Sequence, residues 1–432
     1  MPEMQTVHFV GIGGIGLSAL AQWYLSMGWL VFGSDAKQSL ITRDLKKRGI
    51  KISIGPQKAA NLSKDLDLLI YSAAIQKNNP ERREADRRRL PQKSYAEALG
   101  ELTKQYKTIA VSGAHGKSTT TAVVSRILMA AGFDPTIIIG TRMPELKNNN
   151  FRAGKSEWLV LEADEYHRSF LNYHPYAAIC TNLDREHLEY YKSFANIKKA
   201  FQKFFAHVEN FLIINAEHAE LRKLSIKSRA KVFYYHTKNQ RGLEIKKLLR
   251  IPGAHNLSNA MAADMLAEKL GISKLVRNQA ISGFRGTWRR FQYLGLWRGA
   301  KLYDDYAHHP TEVMATLAGA REKYPRSRIW AVFQPHLSER LALLFPEFTR
   351  AFLDADRVIV LQTYKVIGRE KKIKNEKTSE DLALALKKHT PTYYAETADD
   401  VIDILKRTAR RGDILIFMGA GDITDISNRL RT

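Results

Sequence analysis

Residues 108–121 read TIAVSGAHGKSTTT, a β-branched run that breaks into a glycine-histidine-glycine-lysine-serine loop and resumes as a helix start. A strand delivering such a loop to a helix is a place to hold ATP. Amides around Gly113, Gly116 and Lys117 can point at phosphate oxygens, Ala114, His115 and Thr119 belong to the same ATP-binding run, and the helix presents its positive end to the phosphates. The Lys117 ammonium neutralises phosphate charge and the Ser118 hydroxyl can ligate Mg²⁺. The general pattern G-x-x-x-x-G-K-[ST] does not fit, because it needs glycine where this chain has Val111. The competing reading, a glycine-rich turn that binds nothing, loses ground as the rest of the chain is read.

Outward from that loop, strands and helices alternate in both directions, which predicts parallel sheets. Later strands of the same unit are PTIIIG, EWLVLEAD, YAAICTN, NFLIIN and KVFYYH. Two of them deliver polar residues at their carboxyl ends, Glu162, Asp164 and Glu165 from one and Asn182, Asp184, Glu186 and His187 from the other. Strand ends line the ligand crevice of a doubly wound sheet, so a carboxylate and an imidazole there can hold Mg²⁺ beside a phosphate loop. Asn256 and Asn259, in PGAHNLSNA, are helix caps or base-contacting amides.

Toward the N-terminus, VHFV runs into GIGGIG, where Gly11, Gly13 and Gly16 satisfy G-x-G-x-x-G, and LVFGSD ends in Asp35 about 20 residues on. Alone this is a dinucleotide fingerprint, although such a turn suits any diphosphate. LDLLIYSAAI is the third strand of this part, reaching Ser72, and NPERREADRRR then reads as a helix. Toward the C-terminus, AKLYDDYA, RIWAVFQP, RVIVLQT and DILIFMGAG are strands of a third unit, with Asp304, Asp305, Tyr306, His308 and His309 after the first. The adjacent histidines lack the spacing and third ligand of a zinc site, and Pro310 reads as a helix start. The expected domains are 1–105, 106–286 and 287–432.

Composition agrees with this division. The 432 residues exceed the ~250–300 at which single cores stop growing, so two to three domains are expected. The lone cysteine, Cys180, lies in an apolar run and reads as a buried, unreactive thiol, which fits a reducing cytoplasm. No run approaches the ~20 apolar residues of a membrane helix, and no basic leader precedes the first strand, so neither insertion nor export is expected. The net charge of +24 favours anionic ligands. Its basic runs, ERREADRRR at 81–89 and GREKKIKNEK at 368–377, lack interleaved aromatics and read as solvated helix and loop, with no specific nucleic-acid partner.

The order GIGGIG, YSAAI, GAHGKSTTT, EADE, TNLDREH, PGAHNLSNA, GTWRRFQ, DDYAHHPTE, FQPH and GAGDI resembles the Mur ligases of peptidoglycan synthesis, from Val7 to Ile423. The resemblance implies an N-terminal Rossmann-like domain for the UDP sugar, a central P-loop ATPase-like domain and a C-terminal Rossmann-like domain. It also removes the nicotinamide reading of the first glycine motif. It points to the family members that join L-alanine to the lactyl carboxylate of UDP-N-acetylmuramate through an acyl phosphate, in a cytoplasmic monomer or homodimer. By similarity Lys117 neutralises the β- and γ-phosphates, Ser118 and Glu162 hold one Mg²⁺ and His187 a second, and Arg290 contacts the transferring phosphoryl group. Asn256 falls near the adenine, Asp305 at the ribose, and Tyr306, His308 and Arg340 at the amino-acid pocket. Gly11, Gly13, Gly14, Ile15, Gly16, Asp35 and Ser72 surround the UDP moiety.

The chain departs from the family pattern at identifiable positions. His167 stands where aspartate is usual after EADE, Glu186 replaces aspartate before the motif histidine, and Leu337 replaces the arginine after FQPH. The stretch between KVFYYH and PGAHN is short, so a peripheral hairpin is expected to be missing, and no carbamylated lysine can be placed. Two other functions share much of this pattern: a recycling ligase that adds a murein tripeptide, and a weakened homologue that binds UDP-sugar and ATP without turnover.

Overall fold

Parallel strands buried on both faces read as unbroken apolar runs, and such runs organise the chain: TVHFV, IWAVF and ILIFM are buried at every position. The structure is a computed structural model in which residues 4–365 and 377–431 are described. The basic run at 368–377 therefore lies outside the described residues except for Lys377.

Three sheets form the α/β architecture. The first contains β1 (Thr6–Val10), β2 (Leu30–Asp35), β3 (Lys51–Ile54), β4 (Leu68–Tyr71) and β5 (Gln92–Ser94), all parallel, in the order β3-β2-β1-β4-β5. The second contains β6 (Lys107–Ser112), β7 (Thr136–Met143), β8 (Asn149–Arg152), β9 (Trp158–Glu162), β10 (Ala177–Cys180), β11 (Phe211–Asn215) and β12 (Lys231–Tyr235). Their order is β12-β11-β10-β6-β9-β7-β8, with only β7 and β8 antiparallel. The third contains β13 (Gln292–Trp297), β14 (Ala300–Asp305), β15 (Ile329–Phe333), β16 (Arg357–Leu361), β17 (Thr392–Ala395) and β18 (Ile414–Met418). It runs β13-β14-β18-β15-β16-β17, with β13 antiparallel to β14.

By contact, the chain groups into two compact units: one holds the chain to Leu248 with Ser258–Gly283, the other Leu249–Leu257 with the chain from Phe284. In the first unit the two sheets share one apolar core. The helix Ile15–Ser26 is buried without interruption from Leu17 to Tyr24, because it packs on its own sheet and also on β7 and β8. A polar plug fixes that contact: Gln22 Nε2 donates to Asn150 Oδ1 at 3.0 Å, Asn149 Nδ2 to Gln22 Oε1 at 2.8 Å, and Asn150 Nδ2 to the Ile15 carbonyl at 2.6 Å. In the second unit, apolar clusters cover both faces of the third sheet.

Five strands that the sequence does not announce, β3, β5, β8, β13 and β17, all lie at sheet edges. Edge strands are short and half-solvated, so KISI, QKS and NNFR carry no continuous apolar run. Between β12 and the helix Ala254–Lys269 the chain forms the helix Gln240–Leu248 and no hairpin. Asn79 and Pro80 start the helix Pro80–Arg87, at whose end Arg87 and the following Arg88 both clasp Glu84, at 2.7 and 2.6 Å. No helix among the described residues is long and apolar enough to cross a membrane.

Candidate functional site

The loop after β6 turns sharply at two glycines. Gly113 and Gly116 have φ of +125° and +83°, and a Cβ on either would collide with Thr181 or Asn259. The end of β10 holds the loop from below. His115 N donates to Asn182 Oδ1 at 2.8 Å, Asn182 Nδ2 to the His115 carbonyl at 3.0 Å, and His115 Nε2 meets Asp184 Oδ2 at 2.8 Å. The helix Lys117–Ala130 then begins at Gly116 with no side-chain cap, whereas Ser39, Asn79, Ser94, Ser193, Thr378 and Thr397 cap theirs. A glycine-led, uncapped helix start leaves its first amides to an anion.

Carboxylates converge on that helix start. Ser118 Oγ donates to Glu162 Oε2 at 3.1 Å, and the Gly140 amide fixes the other oxygen of Glu162 at 2.7 Å. Lys117 Nζ donates to Glu165 Oε2 at 2.8 Å and to the carbonyls of Gly113 and Ala114 at 2.7 and 3.2 Å. Burial works against the Lys117 charge, but Glu165, Asp164 and Glu162 outweigh it and hold the ammonium above its ordinary pKa. Glu165 Oε1 is buried without a hydrogen-bond partner and lies 3.9 Å from His187 Nε2. Asp164, Glu165 and His187 place one ligand atom each within 4.8 Å of one another. His187 Nδ1 in turn meets Glu189 Oε1 at 3.3 Å, and its ring packs 4.5 Å from Tyr166. Sequence reasoning named His187 without these partners, since nothing in EADE says which carboxylate turns toward it.

His167 lies beside this cluster. It is exposed, has φ of +51°, and stacks on Tyr190 with ring centroids 4.6 Å apart.

In the first sheet, Gly11 has φ of +80°, and the turn is pinned by β2: the Ser34 carbonyl accepts from Gly11 and Ile12 at 2.8 and 3.1 Å, and Asp35 Oδ2 accepts from Gly13 at 2.8 Å. The helix Ile15–Ser26 starts at Gly14, again without a side-chain cap. A Cβ on Gly16 would sit 2.8 Å from the Tyr95 hydroxyl, and one on Gly11 3.3 Å from Ser72 Cβ. Gly11, Gly13, Gly14, Ile15, Gly16, Asp35 and Ser72 thus gather at the carboxyl ends of β1, β2 and β4.

The second unit gathers its own group. Asp305 accepts from the amides of Phe291 and Ala307 at 2.7 and 2.8 Å, and burial, partly countered by Arg290, raises its carboxyl to about 6. Arg290 lies 5.2 Å over the Tyr306 ring and 3.8 Å from Glu312, whose other oxygen is 3.2 Å from His308 Nδ1. Glu312 is a member of this group that sequence reasoning left without a role; its place three residues after His309 was the available signal. His309 caps the helix Pro310–Lys323. Asn256 Nδ2 donates to the Pro252 carbonyl at 2.6 Å and does not cap its helix. Arg340 is buried in the helix Ser338–Leu343, preceded by Leu337 at φ of +67°.

Comparison with known proteins extends this picture over the whole chain. Residues 6–107 match the Mur ligase family, catalytic domain; 111–267 the Mur ligase middle domain; and 289–421 the Mur ligase, glutamate ligase domain. UDP-N-acetylmuramate--L-alanine ligase of Alkaliphilus metalliredigens is 37% identical over 99% of this chain and 97% of its own length. That of Aquifex aeolicus is also 37% identical, over 98% and 96%. The crystal structure of UDP-N-acetylmuramate-alanine ligase MurC from Thermotoga maritima superposes with a TM-score of 0.82 at 28% identity, covering 98% of both chains.

Proposed function

The chain belongs to the Mur ligase family, and on that premise we propose that it is an ATP-dependent ligase joining L-alanine to the lactyl carboxylate of UDP-N-acetylmuramate. The observation that carries this reading is the uncapped start of the helix Lys117–Ala130, with Lys117 and Ser118 each held by a carboxylate of the EADE run. The amides there and the Lys117 ammonium receive the β- and γ-phosphates of ATP. A lactyl carboxylate oxygen attacks the γ-phosphorus and ADP leaves; the alanine nitrogen then attacks the acyl carbon, phosphate leaves, and the nitrogen loses a proton. The protein contributes mainly position and charge compensation.

The donors present suit Mg²⁺. Ser118 and Glu162 offer one oxygen pair, and Asp164, Glu165 and His187 a second set in which the unpartnered Glu165 Oε1 asks for a cation. When bound, Mg²⁺ supplies neutralisation of phosphate charge. The turn at residues 11–16 takes the diphosphate of the UDP sugar, with Asp35 and Ser72 beside it. In the second unit, Arg290 is assigned to the transferring phosphoryl group, Asp305 to the ribose and Asn256 to the adenine. Tyr306, His308 and Arg340 are assigned to the amino acid.

Phosphate release tests the reading directly. With UDP-N-acetylmuramate, ATP and Mg²⁺, L-alanine should drive turnover and a murein tripeptide should not. A preference for tripeptide makes the protein a recycling ligase, and nucleotide binding without turnover makes it a binding protein.

A further inference from the structure

Glu81 has no exposed surface, and none of the chemistry above uses it. It is the second residue of the helix Pro80–Arg87, and its carboxylate is met from three sides. Ser34 Oγ donates to it at 2.6 Å, Asn61 Nδ2 at 2.6 Å, and His8 Nε2 lies 3.1 Å away. Burial works against the charge, and these three contacts outweigh it, holding the carboxyl below its ordinary value. A buried charge is costly unless fully paired, and an apolar side chain fills such a place without that cost.

The partners say what the charge does. Ser34 is the penultimate residue of β2, and its carbonyl accepts the amides of Gly11 and Ile12 at 2.8 and 3.1 Å. The next helical residue, Arg82, reaches the other wall of the same turn: its Nη1 donates to the Ile75 carbonyl at 3.2 Å and its guanidinium lies 3.7 Å over the Tyr71 ring. Ile75 packs 3.6 Å from where a Gly11 Cβ would stand. Two consecutive residues of one helix therefore brace both sides of the glycine turn. We infer that Glu81 is a positioning residue for the UDP sugar: through Ser34 it holds the 11–16 turn in the shape that presents its amides to the diphosphate. The inference rests on reading that turn as the diphosphate site.

The test uses the full chain with UDP-N-acetylmuramate and ATP. Glu81→Gln keeps the shape and removes the charge; Ser34→Ala breaks the link to the turn. Each should raise the Kd and KM for the UDP sugar about tenfold, the loss of one charge-assisted hydrogen bond, with kcat and the KM for ATP unchanged. The double variant should be no worse than the worse single, because both cut one chain of contacts. A lower Tm with an unmoved KM for the UDP sugar overturns the inference, as does an equal rise in the KM for ATP. Gly14→Asp separates the two readings, since its carboxylate would occupy the helix start itself. If Gly14→Asp leaves UDP-sugar affinity intact, the turn is not the diphosphate site. If it abolishes binding while Glu81→Gln leaves affinity unchanged, only the role of Glu81 falls.

Discussion

Lys117 Nζ donates to Glu165 Oε2 at 2.8 Å, so the ammonium at the start of the helix Lys117–Ala130 rests on a buried carboxylate three residues beyond the end of β9. The pair orients the Lys117 side chain, and the surrounding carboxylates hold its ammonium above the ordinary pKa although burial works against the charge. The same carboxylate keeps its second oxygen toward His187. One residue thereby ties the glycine loop at 113–118 to the imidazole of the cluster.

Removing Glu165 leaves the half-buried Lys117 ammonium hydrogen-bonded to the carbonyls of Gly113 and Ala114, with its ion-pair partner gone. Glu165→Ala should therefore lower unfolding free energy by about 3 kcal/mol, the low end for breaking a buried ion pair, as measured by denaturant titration. Turnover should fall about 10²-fold, the typical cost of one electrostatic group. Wild-type stability in Glu165→Ala would refute the pairing as a structural element.

Gly14 has room for a side chain and stands at an uncapped helix start. Aspartate there would cap the helix with its own carboxylate, adding about 0.5–1 kcal/mol of stability while blocking the site for a diphosphate. Calorimetry should find Gly14→Asp with an equal or higher Tm and no measurable affinity for the UDP sugar.

Asp305 has a carboxyl raised to about 6 by burial, against about 3.9 in an unfolded chain. With a raised pKa the folded state holds the proton longer, so this group's contribution to stability is complete below about pH 4 and lost as pH rises through about 6. Relative to Asp305→Asn, the parent should lose roughly 2–3 kcal/mol between pH 4 and pH 7, the equivalent of about two pKa units. A pH-independent difference between the two proteins counts against a raised carboxyl.

His167 occupies a left-handed backbone position, φ +51°, that aspartate tolerates. His167→Asp gives up the stack on Tyr190 and adds negative charge beside Asp164, Glu165 and His187. Between exposed unit charges about 4 Å apart, the attraction is worth about 1 kcal/mol. The Mg²⁺ concentration for half-maximal phosphate release should therefore drop about fivefold; a rise would show that the histidine itself supports the cation.

The central strands were legible because burial on both faces writes itself as continuous apolar sequence, as in TIAV, AAIC and ILIFM. The five unannounced strands are edges, where one side faces solvent and residues such as Lys51, Gln92 and Asn149 are allowed. Both glycine turns were legible for a related reason: a tight turn between strand and helix has few solutions, and Gly11, Gly113 and Gly116 take positive φ that other residues resist.

By itself, then, the sequence determined the α/β class, the two glycine turns between strand and helix and the strand ends that carry polar groups, since each depends on local backbone chemistry within a few residues. Pairing across the fold was decided only by tertiary structure. EADE places Glu162, Asp164 and Glu165 within four residues, and spacing cannot say that Glu162 goes to Ser118 and Glu165 to Lys117. Nor does NPERRE announce that Glu81 reaches Ser34, 47 positions earlier, to hold the turn that Gly11 begins. Such contacts depend on strand order and helix placement, which bring together residues far apart in the chain.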